Sequence, residues 1–269
     1  FMKLLYFGDI VGKSGRRAML AHLPALTEKY SPDFVMANGE NAAHGFGITA
    51  KICSSFFEAG VDVITLGNHA WDQREIMSYI QDEPRLIRPL NYPETTPGSG
   101  AGIFEARNGA RVCVAQVMGG LFMEPMDDPF KAVEKCLSGI SLGSAADCIA
   151  VDIHAEATSE KMAMGHFLDG RVSILVGTHS HIPTSDAQVL PGGTAYQTDI
   201  GMCGDYNSVI GMKKDAAINK FTGKLPGLRL EPAEDEGTAC AVFLETDDTT
   251  GLAKSIKPVR VGGRLRTTT

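Results

Sequence analysis

Residues 172–181 read VSILVGTHSH, a short apolar run that ends in a glycine and two histidines separated by one residue. Four earlier segments repeat this pattern, in which an apolar run of strand length ends in a residue able to bind a metal: LLYFGD at 4–9, FVMANGEN at 34–41, VDVITLGNH at 61–69 and CIAVDIH at 148–154. Short apolar runs bounded by turn residues are typical of buried strands in an α/β sheet. The five segments therefore predict five strands with polar residues at their carboxyl ends.

The segments between these strands have the spacing of helices. Met19, Leu23, Leu26 and Tyr30 are separated by four, three and four residues, which places them on one helical face. Further helices are predicted at 49–59, 72–81, 129–138 and 159–168.

The later part of the chain has a different pattern. Residues 187–199, 240–246 and 255–261 are strand-like and are separated by turns rich in glycine and proline. They predict a second, more antiparallel sheet that packs against the first. The expected fold class is α/β, with two mixed β-sheets packed face to face and helices on the outside, a four-layer α/β/β/α sandwich.

The domain organisation follows from the absence of any linker or internal repeat in the sequence. Residues 1–269 are expected to form a single domain. Residues 204–237 contain few long apolar runs, and such long irregular stretches are often functional. We expect this excursion to be a lid or an oligomer contact.

Composition and charge limit the class of partner. The chain of 269 residues has a formal net charge of -7, which argues against binding nucleic acid through bulk electrostatics. A small phosphate substrate remains compatible, because bound cations would invert the local charge. No apolar run reaches the roughly 18 residues of a membrane span. The six scattered cysteines are expected to be free thiols, and no secretory signal is expected, so we predict a cytoplasmic location.

The residues at the strand ends predict a metal site. In an open α/β sheet the carboxyl ends of the strands converge at the ligand-binding edge. A mixture of oxygen ligands and imidazoles suits Zn, Mn or Fe better than Ca. Each residue alone would fit a turn or a helix cap, but recurrence at five strand ends favours a site for two metals about 3.5–4 Å apart. The predicted ligands are Asp9, Glu40, Asn68, His154, His179 and His181.

Five blocks in this order resemble the calcineurin-like metallophosphoesterases: Gly8-Asp9, Gly39-Glu40-Asn41, Gly67-Asn68-His69, His154 and Gly177-Thr178-His179-Ser180-His181. The longer strings GDIVGKSGR, ANGENAAHGFGIT, GNHAWDQ, HAEATSEK and TDIGMCG are similar to the YmdB subfamily of bacterial phosphodiesterases. The resemblance implies two bound metal ions, with Fe or Mn favoured over Zn. It also implies hydrolysis of small cyclic nucleotides, either 2′,3′-cyclic or 3′,5′-cyclic.

Two positions depart from the wider calcineurin-like pattern. Val11 stands where the first block usually has a histidine, and Glu40 stands where the second block usually has an aspartate. Either Asn41 or a water would complete the metal coordination that the missing histidine leaves open.

The resemblance assigns the ligands to two metals with Glu40 shared between them. One metal would be held by Asp9, Glu40 and His181, with Asn41 nearby. The other would be held by Glu40, Asn68, His154 and His179. A hydroxide between the metals would be the nucleophile, because metal coordination lowers the pKa of water.

Three further residues are candidates for the reaction. His69 resembles the catalytic histidine of the family and would protonate the leaving oxygen, although it could instead orient a ligand. His44 lies on a glycine-rich loop near Glu40 and could contact the phosphate or the base, or be a plain loop residue. Asp199 could orient a metal-bound histidine or serve as a turn residue.

The preferred function is a metal-dependent phosphodiesterase acting on a small cyclic nucleotide. One alternative is a regulatory metal-binding protein that acts through a partner. Another is a nuclease on RNA, which the acidic balance makes less favourable. We also expect a homo-oligomer.

Overall fold

A computed structural model describes residues 1–223 and 227–268, in which two six-stranded sheets face each other. The first sheet has the order β14-β13-β1-β3-β4-β5, with β1 at Lys3–Phe7, β3 at Phe34–Asn38, β4 at Val63–Thr65, β5 at Leu86–Ile87, β13 at Ala239–Thr246 and β14 at Ala253–Val261. The second has the order β10-β11-β9-β8-β7-β6, with β6 at Ala101–Glu105, β7 at Arg111–Met118, β8 at Cys148–His154, β9 at Ile174–Thr178, β10 at Gln188–Val189 and β11 at Ala195–Gln197. Two short parallel strands complete the set, β2 at Asp9–Ile10 and β12 at Met202–Cys203.

Helices cover the outer face of each sheet, which confirms the predicted four-layer α/β/β/α fold. The helices are α1 at Gly12–Tyr30, α2 at Ala50–Glu58, α3 at Ile76–Asp82, α4 at Pro129–Leu137, α5 at Thr158–Leu168 and α6 at Lys214–Thr222. The first three pack on the first sheet, and α4 and α5 pack on the second. The two sheets enclose a separate apolar core between them.

Strand β1 illustrates how the sequence produces these layers. Successive side chains of a strand point to opposite faces of its sheet. Leu4 and Tyr6 lie in the core between the sheets, whereas Leu5 and Phe7 lie in the core beneath α1. All four are buried, so the strand reads as a continuous apolar run rather than an alternating one.

Helix α1 confirms the prediction made from its apolar spacing. Met19, Leu23, Leu26 and Tyr30 are all buried on the face that packs against the first sheet. The helix ends where Ser31 adopts a left-handed conformation, with φ at 46°, and donates its backbone N–H to Thr27. Such a residue after the last turn satisfies a carbonyl that the helix leaves unpaired.

The prediction that residues 187–199, 240–246 and 255–261 together form the second, more antiparallel sheet is wrong. Strands β13 and β14 extend the first sheet, because β13 pairs antiparallel with β1. Strands β10 and β11 extend the second sheet, and a turn at 191–194 divides the single strand expected at 187–199. The centre of the second sheet is instead formed by the parallel strands β7, β8 and β9.

The structure also differs from the sequence predictions in the length of α3 and in the content of the excursion at 204–237. The helix expected at 72–81 begins only at Ile76, because the residues after His69 form turns. The excursion at 204–237 contains α6 and returns to the sheet where Gly204 pairs with Thr238. Residues 224–226 of this excursion lie outside the described residues. The single domain and the lid or oligomer contact at 204–237 stay predictions.

All six cysteines are unpaired, and five of them are buried, as expected for free thiols used in the core. Among the described residues, none of the helices has both the length and the apolar character that crossing a bilayer requires.

A buried polar network joins the two sheets behind the carboxyl ends of their strands. The Asp152 carboxylate on β8 accepts hydrogen bonds from Tyr6 Oη at 2.5 Å, Gln116 Nε2 at 2.7 Å and Thr65 Oγ1 at 2.9 Å. Its other oxygen accepts from Thr178 Oγ1 at 2.7 Å. All five side chains are fully or almost fully buried, so each donor must be satisfied here. The network therefore constrains how the two sheets are placed against each other.

We predict that Tyr6→Phe lowers the free energy of unfolding by about 1–3 kcal/mol, because the buried Asp152 carboxylate loses a donor. Tyr30→Phe is the matched control, since the buried Tyr30 hydroxyl has no hydrogen-bond partner among the described residues. Its free energy of unfolding should stay unchanged or rise, because only a buried hydroxyl without a partner is removed. Denaturant titration of both variants measures the difference, and equal effects would contradict a structural role for the network.

Candidate metal centre

The carboxyl ends of strands from both sheets meet at one edge of the sandwich. There the structure brings together all six residues that the strand-end pattern predicts as ligands: Asp9, Glu40, Asn68, His154, His179 and His181. Four of the six are buried, and Asn68 and His179 are partly exposed. Residues far apart in the chain are adjacent here because parallel strands end at a common edge.

The ligand atoms form two sets that share one carboxylate. Asp9, Glu40 and His181 each offer an atom within 4.8 Å of the others, and so do Glu40, His154 and His179. Glu40 belongs to both sets, and its role as a ligand shared by two metals stays a prediction.

Asn68 lies next to His154 at the second set. His154 Nε2 lies 3.0 Å from Asn68 Oδ1, 3.1 Å from Glu40 Oε1 and 3.2 Å from His179 Nδ1. A single proton on His154 Nε2 can be directed at only one of the other three atoms, so the cluster has more acceptors than donors. A bound cation would satisfy the remaining lone pairs.

The first set contains a buried carboxylate oxygen of Asp9 that lacks a hydrogen-bond partner among the described residues. Asp9 Oδ2 accepts from the backbone N–H of His179 at 3.1 Å, whereas Asp9 Oδ1 is buried with no hydrogen-bond partner among the described residues. A buried carboxylate oxygen without a partner carries a large desolvation cost. Its position beside Glu40 and His181 fits a metal ligand.

The glycine of the Gly67-Asn68-His69 block has a steric role. A Cβ at Gly67 would overlap Glu40 Oε2 and His154 Nε2. Only glycine therefore allows the backbone to approach this closely, and the space beside it stays open for ligand atoms.

The electrostatics of the cluster show how strongly its groups interact. Burial raises the pKa of Asp9 to about 6, although the His181 and His154 imidazoles act in the opposite direction. Burial also disfavours a charged Glu40, but attraction to His154 holds the pKa of Glu40 well below its ordinary value. Burial alone would lower the pKa of His154, yet the Glu40 carboxylate raises it to about 9. Burial and the neighbouring His154 lower the pKa of His179 to about 3.

A positive charge is therefore favoured at the shared carboxylate. Without another cation, a proton on His154 provides that charge beside Glu40. A metal ion would take over the same role, because metal binding displaces protons from its ligands.

Two imidazoles are oriented by hydrogen bonds on the side away from the cluster. His154 Nδ1 lies 2.8 Å from Thr178 Oγ1, which in turn donates to Asp152. His181 Nδ1 donates to the carbonyl of Ile210 at 2.7 Å. In both rings a proton on Nδ1 leaves Nε2 free for a metal, as in many metal-bound histidines.

The loop that carries His179 and His181 is strained and is held by a buried ion pair. His179 and His181 have φ values of 94° and 66°, a region that side chains other than glycine rarely adopt. Lys161 Nζ donates to the carbonyl of Thr178 at 2.7 Å and to Asp199 Oδ2 at 2.8 Å. The same carboxylate accepts the backbone N–H of Ser180 at 3.0 Å. These contacts stabilise a conformation that the loop would not adopt alone.

Asp199 therefore acts on the backbone of the loop rather than on an imidazole. Its second oxygen accepts the backbone N–H of Gly201 at 2.8 Å, as a turn residue would. Sequence reasoning missed Lys161 and Thr178. Asp152 had one signal, since it is a charged residue within an otherwise apolar run.

His69 lies beside the shared carboxylate and is oriented by a residue that sequence reasoning also missed. Its backbone N–H donates to Glu40 Oε2 at 3.0 Å, and its Nδ1 lies 2.9 Å from Asp72 Oδ2. A proton on Nδ1 leaves Nε2 directed away from Asp72. The i to i+3 spacing of the two residues, within one turn, was the available signal.

Val11, which stands where the first block usually has a histidine, packs against the excursion at 204–237. Val11 is buried, and a Cβ at Gly211 would come within 2.8 Å of its Cγ1, so the excursion packs directly over it. Asn41 Nδ2 instead donates to Glu40 Oε1 at 2.9 Å and lies 3.1 Å from His181 Nε2. Whether Asn41 or a water completes the coordination stays a prediction.

A cavity of about 340 Å³ opens over the ligands. Phe46 lines it, whereas His44, from the same loop, is exposed and is not among the lining residues. A substrate contact by His44 stays a prediction. A larger cavity, of about 640 Å³, lies beside α4 and includes none of the ligands. The smaller cavity is instead lined by the predicted ligands Glu40, His179 and His181.

Comparison with known proteins shows similarity over nearly the whole chain. A model of the family described as YmdB-like protein matches residues 5–259. A 2′,3′-cyclic-nucleotide 2′-phosphodiesterase from Bacillus subtilis (strain 168) is 44% identical over 260 residues, which cover 97% of each chain.

Two solved structures have the same overall fold. One is a hypothetical protein from Thermus thermophilus, with a TM-score of 0.90 and 42% identity, covering 98% of this chain and 100% of the other. The second is a novel phosphatase from Mycoplasma pneumoniae, with a TM-score of 0.90 and 33% identity, covering 97% and 93%.

We predict that Lys161→Met destabilises the protein by about 3–5 kcal/mol, because it leaves the buried Asp199 carboxylate without its cation. Lys135→Met is the matched control. Lys135 pairs with Glu94 at 2.7 Å, nearly the same distance, but both side chains are at least 80% exposed. The control should show no measurable change in denaturant unfolding. If both variants were equally stable, the buried pair would not support the loop.

Proposed function

Because the chain belongs to the YmdB-like protein family, we propose that it is a metal-dependent phosphodiesterase that hydrolyses 2′,3′-cyclic nucleotides. The observation that carries the proposal is the Glu40 carboxylate, which two sets of ligand atoms share, with His69 directly beside it. The activity named for the Bacillus subtilis relative supports the choice of substrate. Activity towards 3′,5′-cyclic nucleotides is part of the same proposal and is the comparison substrate below.

Two metal ions would be held by the residues of the two sets. Asp9, Glu40 and His181, with Asn41 beside them, would hold the first. Glu40, Asn68, His154 and His179 would hold the second. When bound, such ions neutralise charge on the phosphate and lower the pKa of water. A set of imidazole, carboxylate and amide ligands suits Fe or Mn, with Zn as the other possibility.

His69 would supply the proton that the reaction requires. Hydrolysis forms a bond from a water oxygen to phosphorus and breaks the bond from phosphorus to the ribose O2′. The departing O2′ takes a proton, and the product keeps a 3′-phosphate. With Nδ1 held by Asp72, the proton to be transferred resides on His69 Nε2. Asp72 would also stabilise the charged imidazolium.

The surrounding groups favour catalysis over the two alternatives. A purely regulatory metal-binding protein has no use for a histidine oriented by a carboxylate beside the ligands, yet His69 and Asp72 form that pair. A nuclease on long RNA would need an extended basic groove, whereas the chain has a net charge of -7. The expected homo-oligomer and cytoplasmic location stay predictions.

Metal content tests the two-set arrangement without relying on activity. After loading with Mn²⁺ and removal of unbound ions, we expect about two ions per chain by elemental analysis. Asp9→Asn should retain about one, because Asp9 contributes to the first set only. Asp147→Asn, which alters an exposed carboxylate paired with Arg111, should retain both. Retention of two ions by Asp9→Asn would rule out the proposed division.

Catalysis by His69 is tested with 2′,3′-cAMP and the Mn²⁺-loaded protein, with 3′,5′-cAMP as the second substrate. His69→Ala should lower kcat by about 10²–10⁴-fold while its metal content is unchanged, because only the proton donor is removed. His166→Ala, an exposed histidine on α5, is the control and should keep full activity. Inactivity of the loaded wild type would refute the proposed function. Full activity of His69→Ala would refute only the role of His69.

A further inference from the structure

The cavity over the ligands has two chemically different kinds of lining residue. Its polar lining residues are Glu40, Asn41, His69, Glu156, His179, Ser180 and His181, together with Lys220 from α6. Its other lining residues are apolar, namely Phe46, Ile210, Met212 and Leu230, which we call the apolar wall. The proposed phosphodiesterase activity involves only polar lining residues, and the apolar wall takes no part in the hydrolysis itself.

Two separate segments of the chain meet to form the apolar wall. Phe46 comes from the glycine-rich loop after Glu40, and the other three residues come from the excursion at 204–237. The segments touch, because a Cβ at Gly45 would lie 3.0 Å from Met212 Cε. Met212 therefore packs against the loop that carries Phe46.

Phe46 is placed directly against the reaction centre. Its ring packs edge to face with His69, with centroids 5.0 Å apart and an interplanar angle of 74°. Gln73 Nε2 donates to the backbone carbonyl of Phe46 at 2.8 Å, which ties this loop to the segment that carries His69. A flat group packed on Phe46 would thus be adjacent to a phosphate held by the polar lining residues.

Ile210 has an unusual conformation for an apolar residue. Its φ is 47°, in the left-handed region that β-branched residues rarely adopt, and its side chain is 50% exposed. Its carbonyl accepts the hydrogen bond from His181 Nδ1. The same strained residue therefore orients a ligand with its backbone and presents an apolar side chain to the cavity. Such strain is concentrated at functional sites.

We propose that the apolar wall binds the nucleobase of the substrate, so that the protein acts on cyclic nucleotides rather than on cyclic phosphodiesters in general. This inference rests on the proposed function. A cyclic nucleotide has a charged phosphate at one end and a flat, largely apolar base at the other, which matches the two kinds of lining residue in the cavity. The volume of about 340 Å³ is at the lower end for ligand pockets and suits a single nucleotide.

The test compares 2′,3′-cAMP with methyl riboside 2,3-cyclic phosphate, in which a methoxy group replaces the base. For the Mn²⁺-loaded wild type, kcat/KM should be about tenfold or more higher for 2′,3′-cAMP, because stacking of a base on aromatic and apolar side chains favours binding. Phe46→Ser should reduce this ratio by about fivefold. Ile210→Gly should do the same, and glycine suits the φ of 47° and keeps the carbonyl that His181 uses.

Phe221→Ser is the matched control, since Phe221 lies on α6 in the same excursion, is 87% exposed and is not among the cavity-lining residues. It should leave the ratio at the wild-type value. A wild-type ratio near one would overturn the inference. So would an equal loss of kcat/KM for both substrates in Phe46→Ser and Ile210→Gly.

Calorimetric binding separates this inference from the proposed function. Binding of 3′-AMP and of methyl riboside 3-phosphate to the loaded protein requires no hydrolysis. We expect 3′-AMP to bind about tenfold more tightly, and Phe46→Ser to remove most of that difference. If neither cyclic substrate is hydrolysed but this preference is present, the proposed function fails while the base-binding wall stands. Equal affinities would overturn the wall.

Discussion

The buried acceptor cluster around Glu40 is the constraint on which the rest of this structure depends. Carboxylates, imidazoles and an amide oxygen converge where the two sheets meet, with too few protons to satisfy them. Asp9 even keeps one oxygen without a partner among the described residues. Such a cluster is stable only next to positive charge. The protein therefore has to hold several buried acceptors close together, and the surrounding architecture accomplishes this.

Three sets of contacts hold the cluster from outside. The Asp152 network connects both sheets and reaches His154 through Thr178. The ion pair of Lys161 and Asp199 stabilises the strained loop that carries two histidines. The carbonyl of Ile210 orients His181 from the excursion. Each set joins elements far apart in the chain, so stability and site geometry have the same physical origin.

The excursion at 204–237 contributes both to the orientation of His181 and to the proposed binding of the nucleobase. It covers Val11, orients His181 and forms most of the apolar wall. Replacement of the usual first-block histidine by valine is consistent with this arrangement, because a buried apolar side chain packs under the excursion. Changes in this segment would then alter ligand geometry and base binding together, which distinguishes it from a loop that only closes over a site.

The sequence by itself determined the four-layer fold and the polar residues that converge at the carboxyl ends of its strands. This was possible because a buried strand is largely apolar, so that a polar residue at its end stands out, and because parallel strands end at one edge. Only the tertiary structure decided which sheet β13 and β14 join, since a strand's own residues do not specify its neighbour. It also decided the partners Asp152, Lys161, Asp72 and Ile210. A hydrogen bond between residues distant in the chain leaves no periodic signal, and the carbonyl of Ile210 would be available from any residue type.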